Sequence, residues 1–257
     1  MQHRVKTLTL LPTLTFALLL IALAIPLNAS AASLARSEHT SVRIQHSYVP
    51  RMFIKNSQQS TNWSGYAAVS GHYTSVSASW TEPSVSCSGT AYAAFWVGLD
   101  GDGSGTVEQT GADSDCNGST PTYYAWYEMY PNLPVNISHT VKAGDSMSAS
   151  VTAGSNGSFN LAISDQTQGW SFKTTKTLKR AKLASAEVIA EAPSSGSGVL
   201  PLADFGTVNF SGSTVNGQTI GSFNPQEIVM VTSGGTVKAQ PSSLSGGTAF
   251  SVTWEHS

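Results

Sequence analysis

From Trp63 onward, apolar and polar residues alternate with a period of two, the pattern of strands whose two faces meet different surroundings. Strands are predicted over residues 65–69, 76–81, 91–99, 107–109, 122–130, 146–153, 158–164, 169–175, 186–191, 206–211, 227–231 and 249–254. Turn-forming runs punctuate them, among them Gly101-Asp-Gly-Ser-Gly105, Gly154-Ser-Asn-Gly157, Ser194-Ser-Gly-Ser-Gly198 and Asn216-Gly217. Many short strands at this spacing predict an all-β sandwich or barrel. The run Thr177–Leu183, rich in Lys and Arg, reads as a loop or a short helix.

Alternation also sorts side chains by face. In the predicted strand 122–130, Tyr124, Trp126, Glu128 and Tyr130 share one face, with Ala125, Tyr127 and Met129 opposite. In 91–99 and the residue after it, Trp96, Gly98 and Asp100 oppose Phe95, Val97 and Leu99. In 186–191, Glu187, Ile189 and Glu191 point one way. The apolar sets are core. The other sets mix indoles and phenols with carboxylates, which suits a concave, partly wet substrate face better than an interior. Read from the residues alone, Glu187 and Glu191 fit a solvated strand face as well as an active site, and Trp96 and Trp126 fit ordinary core aromatics.

The N-terminus has a different pattern. Arg4 and Lys6 precede an uncharged, mostly apolar run from Leu8 to Leu27, followed by Ala29-Ser30-Ala31. This is the layout of a secretory signal peptide over residues 1–31; the rival, a membrane anchor, is disfavoured by the small-residue cleavage site. Residues 32–61 carry Arg36, Arg43, Arg51 and Lys55 against Glu38, and read equally as a basic pro-segment or as a linker. From Asn62 to Ser257, seven Lys and Arg residues face fourteen Asp and Glu residues, a net charge of −7. That balance excludes a basic nucleic-acid face. Export would oxidise the two cysteines, so Cys87 and Cys116 are expected to form one disulfide across the stretch that holds Trp96 and Gln109.

Four motifs carry a family resemblance. Trp96-Val-Gly-Leu-Asp-Gly101, Glu108-Gln-Thr-Gly-Ala-Asp113, Ala125-Trp-Tyr-Glu-Met-Tyr-Pro131 and Ala186-Glu-Val-Ile-Ala-Glu191 follow in the order and spacing of the glutamic peptidases, or eqolisins. Asn62-Trp-Ser-Gly65 and Phe205-Gly-Thr-Val208 resemble further landmarks, so the likeness spans residues 62–257. It implies an antiparallel β-sandwich of two large bent sheets with a concave substrate cleft. It implies a secreted acid endopeptidase acting on polypeptides, with no cofactor and no metal, and Gln109 and Glu191 as catalytic dyad. Trp126, Glu128 and Tyr130 match cleft-lining positions; Asp100, Asp113 and Glu187 match acidic positions around the dyad, with Trp96 on the same face. The sequence departs from the fungal pattern after Glu191, where Ala192-Pro193 replaces Asp-Phe and no cysteine staples the following hairpin.

Other chemistries lack their residues. The sequence has no Gly-x-Ser-x-Gly elbow, no Asp-Thr-Gly or Asp-Ser-Gly and no HExxH, and His72, His139 and His256 are scattered. Asp100-x-Asp102-x-Ser104 begins like a calcium loop, but Gly111 stands where the closing Glu belongs. Two alternatives stay open on the residues alone. One is a non-catalytic sandwich that stacks sugar or peptide on Trp96, Trp126 and Tyr130; the other is a glycoside hydrolase with paired carboxylates. A monomer, with no membrane association once the signal peptide is removed, is expected.

Overall fold

The structure is a computed structural model and describes residues 58–257. The expected signal peptide and most of the basic segment 32–61 lie outside the described residues.

Fourteen main strands run β1 (Trp63–Ala68), β2 (Ser75–Thr81), β3 (Ala94–Leu99), β4 (Val107–Asn117), β5 (Thr120–Tyr130), β6 (Val135–Ile137), β7 (Ser146–Ala153), β8 (Ser158–Asp165), β9 (Trp170–Thr177), β10 (Ala186–Glu191), β11 (Thr207–Val215), β12 (Gln226–Val231), β13 (Val237–Pro241) and β14 (Phe250–Trp254). Hydrogen-bonded in the order β9-β8-β7-β2-β11-β14-β13-β12-β1-β10-β3-β4-β5-β6, they form one continuous antiparallel ladder. The two ends of the ladder lie face to face, and the main core forms between them. Phe95, Val97, Leu99 and Met129 from one half join Val76, Trp80, Met147, Leu161 and Phe210 from the other. Tyr127 on β5 stacks on Phe172 of β9 with ring centroids 5.8 Å apart, which ties the halves directly. This is the expected all-β sandwich.

Strand bounds follow alternation where one face is apolar. The predicted 146–153 and 186–191 coincide with β7 and β10. The main departure is β4, predicted for three residues and found over Val107–Asn117. Its sequence, Glu108-Gln-Thr-Gly-Ala-Asp-Ser-Asp115, is polar on both faces, so periodicity gave no signal although nearly all of it is buried. The short strands β6 and β13 do alternate apolar and polar residues, but over three and five residues only, too few for a period to stand out. The basic run forms no helix: Thr177 closes β9 and the rest is loop. The segment after Glu191, which lacks the expected cysteine staple, still closes as a two-residue hairpin, Ser194–Ser195 with Gly198–Val199. There the Leu200 amide donates to Pro193 O at 2.8 Å. Cys87 and Cys116 are bonded, as predicted.

Candidate active site

The faces assigned by alternation hold. Phe95, Val97, Leu99, Ala125, Tyr127 and Met129 are in the main core. Trp63, Ala94, Trp96, Trp126, Ile189 and Ile228 form a second, smaller cluster on the opposite face, with Tyr124 and Tyr130 against it. Strand register arranges this face in rows across β1, β10, β3, β4 and β5. One row is Ala67, Glu187, Gly98, Gln109, Glu128; the next is Gly65, Ile189, Trp96, Gly111, Trp126; the third is Trp63, Glu191, Ala94, Asp113, Tyr124. Each row sets one or two Gly or Ala residues among larger side chains, which leaves hollows beside them.

These hollows are filled closely. A Cβ on Gly111 would lie 2.2 Å from Phe95 O and 2.5 Å from Trp96 Cβ, distances real atoms do not reach. Gly111→Ala is therefore expected to push β3 and β4 apart under Trp96 and to cost roughly 1–3 kcal/mol, read as a lowered urea midpoint. Gly101 similarly lies under the Trp63 ring, where its Cβ would sit 2.3 Å from the indole edge.

In the full-length chain Trp96, Asp100, Gln109, Asp113, Trp126, Glu128, Glu187 and Glu191 are all 0% exposed. The Trp63 and Trp96 rings meet edge to face at 5.0 Å among the carboxylates. The acids sit in low dielectric, and their chemistry is set by burial and by the bonds they make.

Glu191 receives a donor on each oxygen. The Trp96 indole N–H donates to Oε2 at 2.7 Å, and the Asn62 amide donates to Oε1 at 3.4 Å. These bonds favour the charged form, but burial and then the Glu128 charge outweigh them and hold the carboxyl well above the ordinary carboxylate range. Gln109 donates from Nε2 to Glu128 Oε2 at 2.7 Å. Glu128 thus bonds one member of the predicted dyad and acts through its charge on the other. Gln109 and Glu191 lie on strands separated by β3, with Trp96 in the row between them.

The supporting acids have distinct settings. Asp113 accepts from Trp126 Nε1 at 2.5 Å and contacts the Tyr124 hydroxyl at 2.8 Å. That same hydroxyl lies 2.8 Å from Asp115 Oδ2. A phenol has one proton, so it donates to one carboxyl and accepts from the other, which must then carry a proton itself. Burial raises both acids, Asp115 to about 7. Glu82 is held by Trp80 Nε1 at 2.8 Å and Ser114 Oγ at 2.7 Å, and burial lifts it to about 7. Glu108 is lifted to about 8 by burial and by the Asp100 charge. Glu187, raised well above the usual range by burial and then by Asp102 and Asp100, belongs to the loop side of the face. Asp100 itself accepts the backbone N–H groups of Lys182, Leu183 and Ala184 at 2.7–2.8 Å, and so clamps the basic loop beside β10. Tyr130 ends β5 partly exposed against the tryptophan cluster.

Sequence reasoning placed Tyr124 on this face but did not assign Asn62, Trp63, Asp115 or Glu82 to this region. Asp115 shares the face of Gln109, so alternation could have found it; Glu82, whose partner Ser114 points to the other side of β4, could not be found that way. No group of three or more His, Cys, Asp or Glu among the described residues is arranged to hold a metal ion. No helix among them is long and apolar enough to cross a membrane.

Comparison with known proteins agrees with the geometry. The Peptidase A4 family pattern matches residues 61–254. Aspergillopepsin-2 of Aspergillus niger is 32% identical over 193 residues, which span 65% of this chain and 68% of that protein. The crystal structure of scytalido-glutamic peptidase with a transition state analog inhibitor superposes with a TM-score of 0.66 at 29% identity, covering 76% of this chain and 98% of that one. The structure of SCP-B, a member of the eqolisin family of peptidases, in complex with the tripeptide Ala-Ile-His gives 0.62 at 28% identity, over 76% and 98%. With its fold, its four motifs and the whole of residues 61–254 in register, this chain belongs to the Peptidase A4 family, the glutamic peptidases.

Proposed function

We propose that the chain is a secreted acid endopeptidase in which Gln109 and Glu191 hydrolyse a peptide bond directly with water. The observation that carries the reading is that Glu128 is bonded to the Gln109 amide while its charge acts on Glu191, so the two belong to one buried polar site. Ionised Glu191, held by Trp96 and Asn62, takes a proton from water as the oxygen bonds to the scissile carbonyl carbon. The Gln109 amide N–H donates to the tetrahedral oxyanion. Glu191 then returns the proton to the departing nitrogen as the C–N bond breaks. Glu128 and Glu191 do not both ionise readily, so in this reading the active form holds one proton between them, with Glu128 protonated and the base ionised on Glu191.

Secretion rests on the signal-like residues 1–31 and the disulfide between Cys87 and Cys116. In this reading residues 32–61 are the pro-segment of a precursor. Polypeptides are the substrate class, in keeping with the tripeptide held by SCP-B.

The test is incubation of the purified protein with an unfolded polypeptide at about pH 4, well inside the carboxyl titration range, with fragments identified by mass spectrometry. Internal fragments with new amino termini are expected. An intact polypeptide across the whole acid range would overturn the proposal.

A further inference from the structure

Lys238 is a charged side chain placed where charges are costly. It lies on β13 at 6% exposure, and among the described residues its Nζ reaches a single acceptor, Thr61 O, at a long 3.5 Å. Burial lowers its pKa to about 8, with no acid among the described residues offsetting the cost. At acid pH it is an ammonium with most of its donor capacity unused.

The side chain lines an open pocket with Thr61, Val199, Leu200, Val231 and Thr232. Two walls of this pocket lead straight to Glu191. Thr61 precedes Asn62, whose amide bonds Glu191. Leu200 closes the hairpin that follows Glu191, through its bond to Pro193 O. Walls of mixed character, with Val199, Leu200, Pro201 and Val231 beside Thr and Ser hydroxyls, one buried cation and continuity with the dyad fit one occupant: an extended polypeptide with an acidic group.

We propose that this pocket is a carboxylate-binding subsite in which Lys238 receives an acidic side chain or a C-terminal carboxylate of a polypeptide lying past the Glu191 end of the sheet. The carboxylate supplies the counter-charge the buried ammonium lacks, and the apolar wall residues take the neighbouring side chains. The substrate role rests on the peptidase reading above; the binding role does not.

Matched peptides distinguish the two sources. One series exchanges Glu for Gln at successive positions about a fixed cleavage point, and a second has free or amidated C-termini. Binding is measured by calorimetry at about pH 5, where a free carboxyl is largely charged, and kcat/KM is measured beside it. At one position, or for the free terminus, the charged peptide should bind roughly tenfold more tightly. The same contrast should appear mainly in KM. Lys238→Met should erase the contrast while leaving neutral peptides unchanged, and Lys238→Arg should keep most of it. In the unaltered protein, the charged peptide should also raise the Lys238 pKa followed by NMR, which needs no variant to fold. Equal affinities for charged and neutral peptides throughout both series, or a contrast that survives Lys238→Met, would overturn the subsite. A protein that cleaves peptides with no Lys238-dependent contrast keeps the peptidase reading and loses the subsite. One that shows the contrast without cleaving anything keeps the subsite and loses the peptidase.

Discussion

Glu191→Gln should lower kcat/KM by about 10²–10⁴-fold, the usual worth of a positioned general base, while the variant keeps the fold. Gln is isosteric with Glu and its one amide oxygen can still accept from Trp96, so the loss reports proton transfer rather than collapse of the site. Gln109→Ala should cost about 10²–10³, the usual worth of one oxyanion donor. It also strips Glu128 of its 2.7 Å partner, so its thermal midpoint should fall slightly. Glu187→Gln is the informative contrast. Glu187 shares a strand face with Glu191, yet its electrostatic neighbours are Asp102 and Asp100 rather than Glu128. That variant should retain substantial activity with a displaced pH profile. Equal, total loss in Glu187→Gln and Glu191→Gln would replace the asymmetric dyad with paired carboxylates.

The second large effect is on stability. Glu82 and Asp115 are held at about 7, Glu108 at about 8, and Asp113, Glu187 and Glu191 well above their ordinary values, each chiefly by burial. A raised carboxyl keeps its proton in the folded state at a pH where the unfolded chain has released it. The folded state therefore binds more protons, and stability falls as pH rises. The contribution is complete below about pH 4, the unfolded values, and is lost between there and about pH 8. Each group that keeps its proton takes roughly 1.4 kcal/mol per pH unit in that window, so even a few of them cost several kcal/mol. The thermal or urea midpoint should be highest in acid and fall steeply toward neutrality. Glu82→Gln, which replaces one such acid by an amide whose oxygen can accept from Trp80 and whose NH2 can donate to Ser114 Oγ, should flatten the fall near neutral pH. A midpoint that rises from about pH 4 to 7 would contradict the account.

Much of this was legible in the sequence, for identifiable reasons. β10 was readable to the residue because its two faces differ sharply: Val188 and Ala190 enter the main core, while Glu187, Ile189 and Glu191 face the site. β4 was largely illegible because a buried strand whose both faces are polar looks like a loop. Thr110, Ser114 and Asp115 are buried only because Trp126 O, Glu82 and Tyr124 lie across from them in space. Asp100 was placed on the substrate face by alternation, but its clamp on the loop 182–184 joins residues far apart in the chain, which no local pattern encodes. The same holds for Asn62 on Glu191. Gln109 shows the limit most clearly. Nothing in its own neighbourhood marks it; only the register Gly98, Gln109, Glu128 across three strands puts it in a polar row. The family motif supplied the role that periodicity could not.

The central claim is that Gln109 and Glu191 act as one unit. A double-mutant cycle in kcat/KM with Gln109→Ala, Glu191→Gln and both together, on a single peptide at one acid pH, tests this most directly. The account predicts that the double variant is about as slow as the slower single variant, because neither residue catalyses without the other. Losses that multiply, or either single variant cleaving at the wild-type rate, would contradict it.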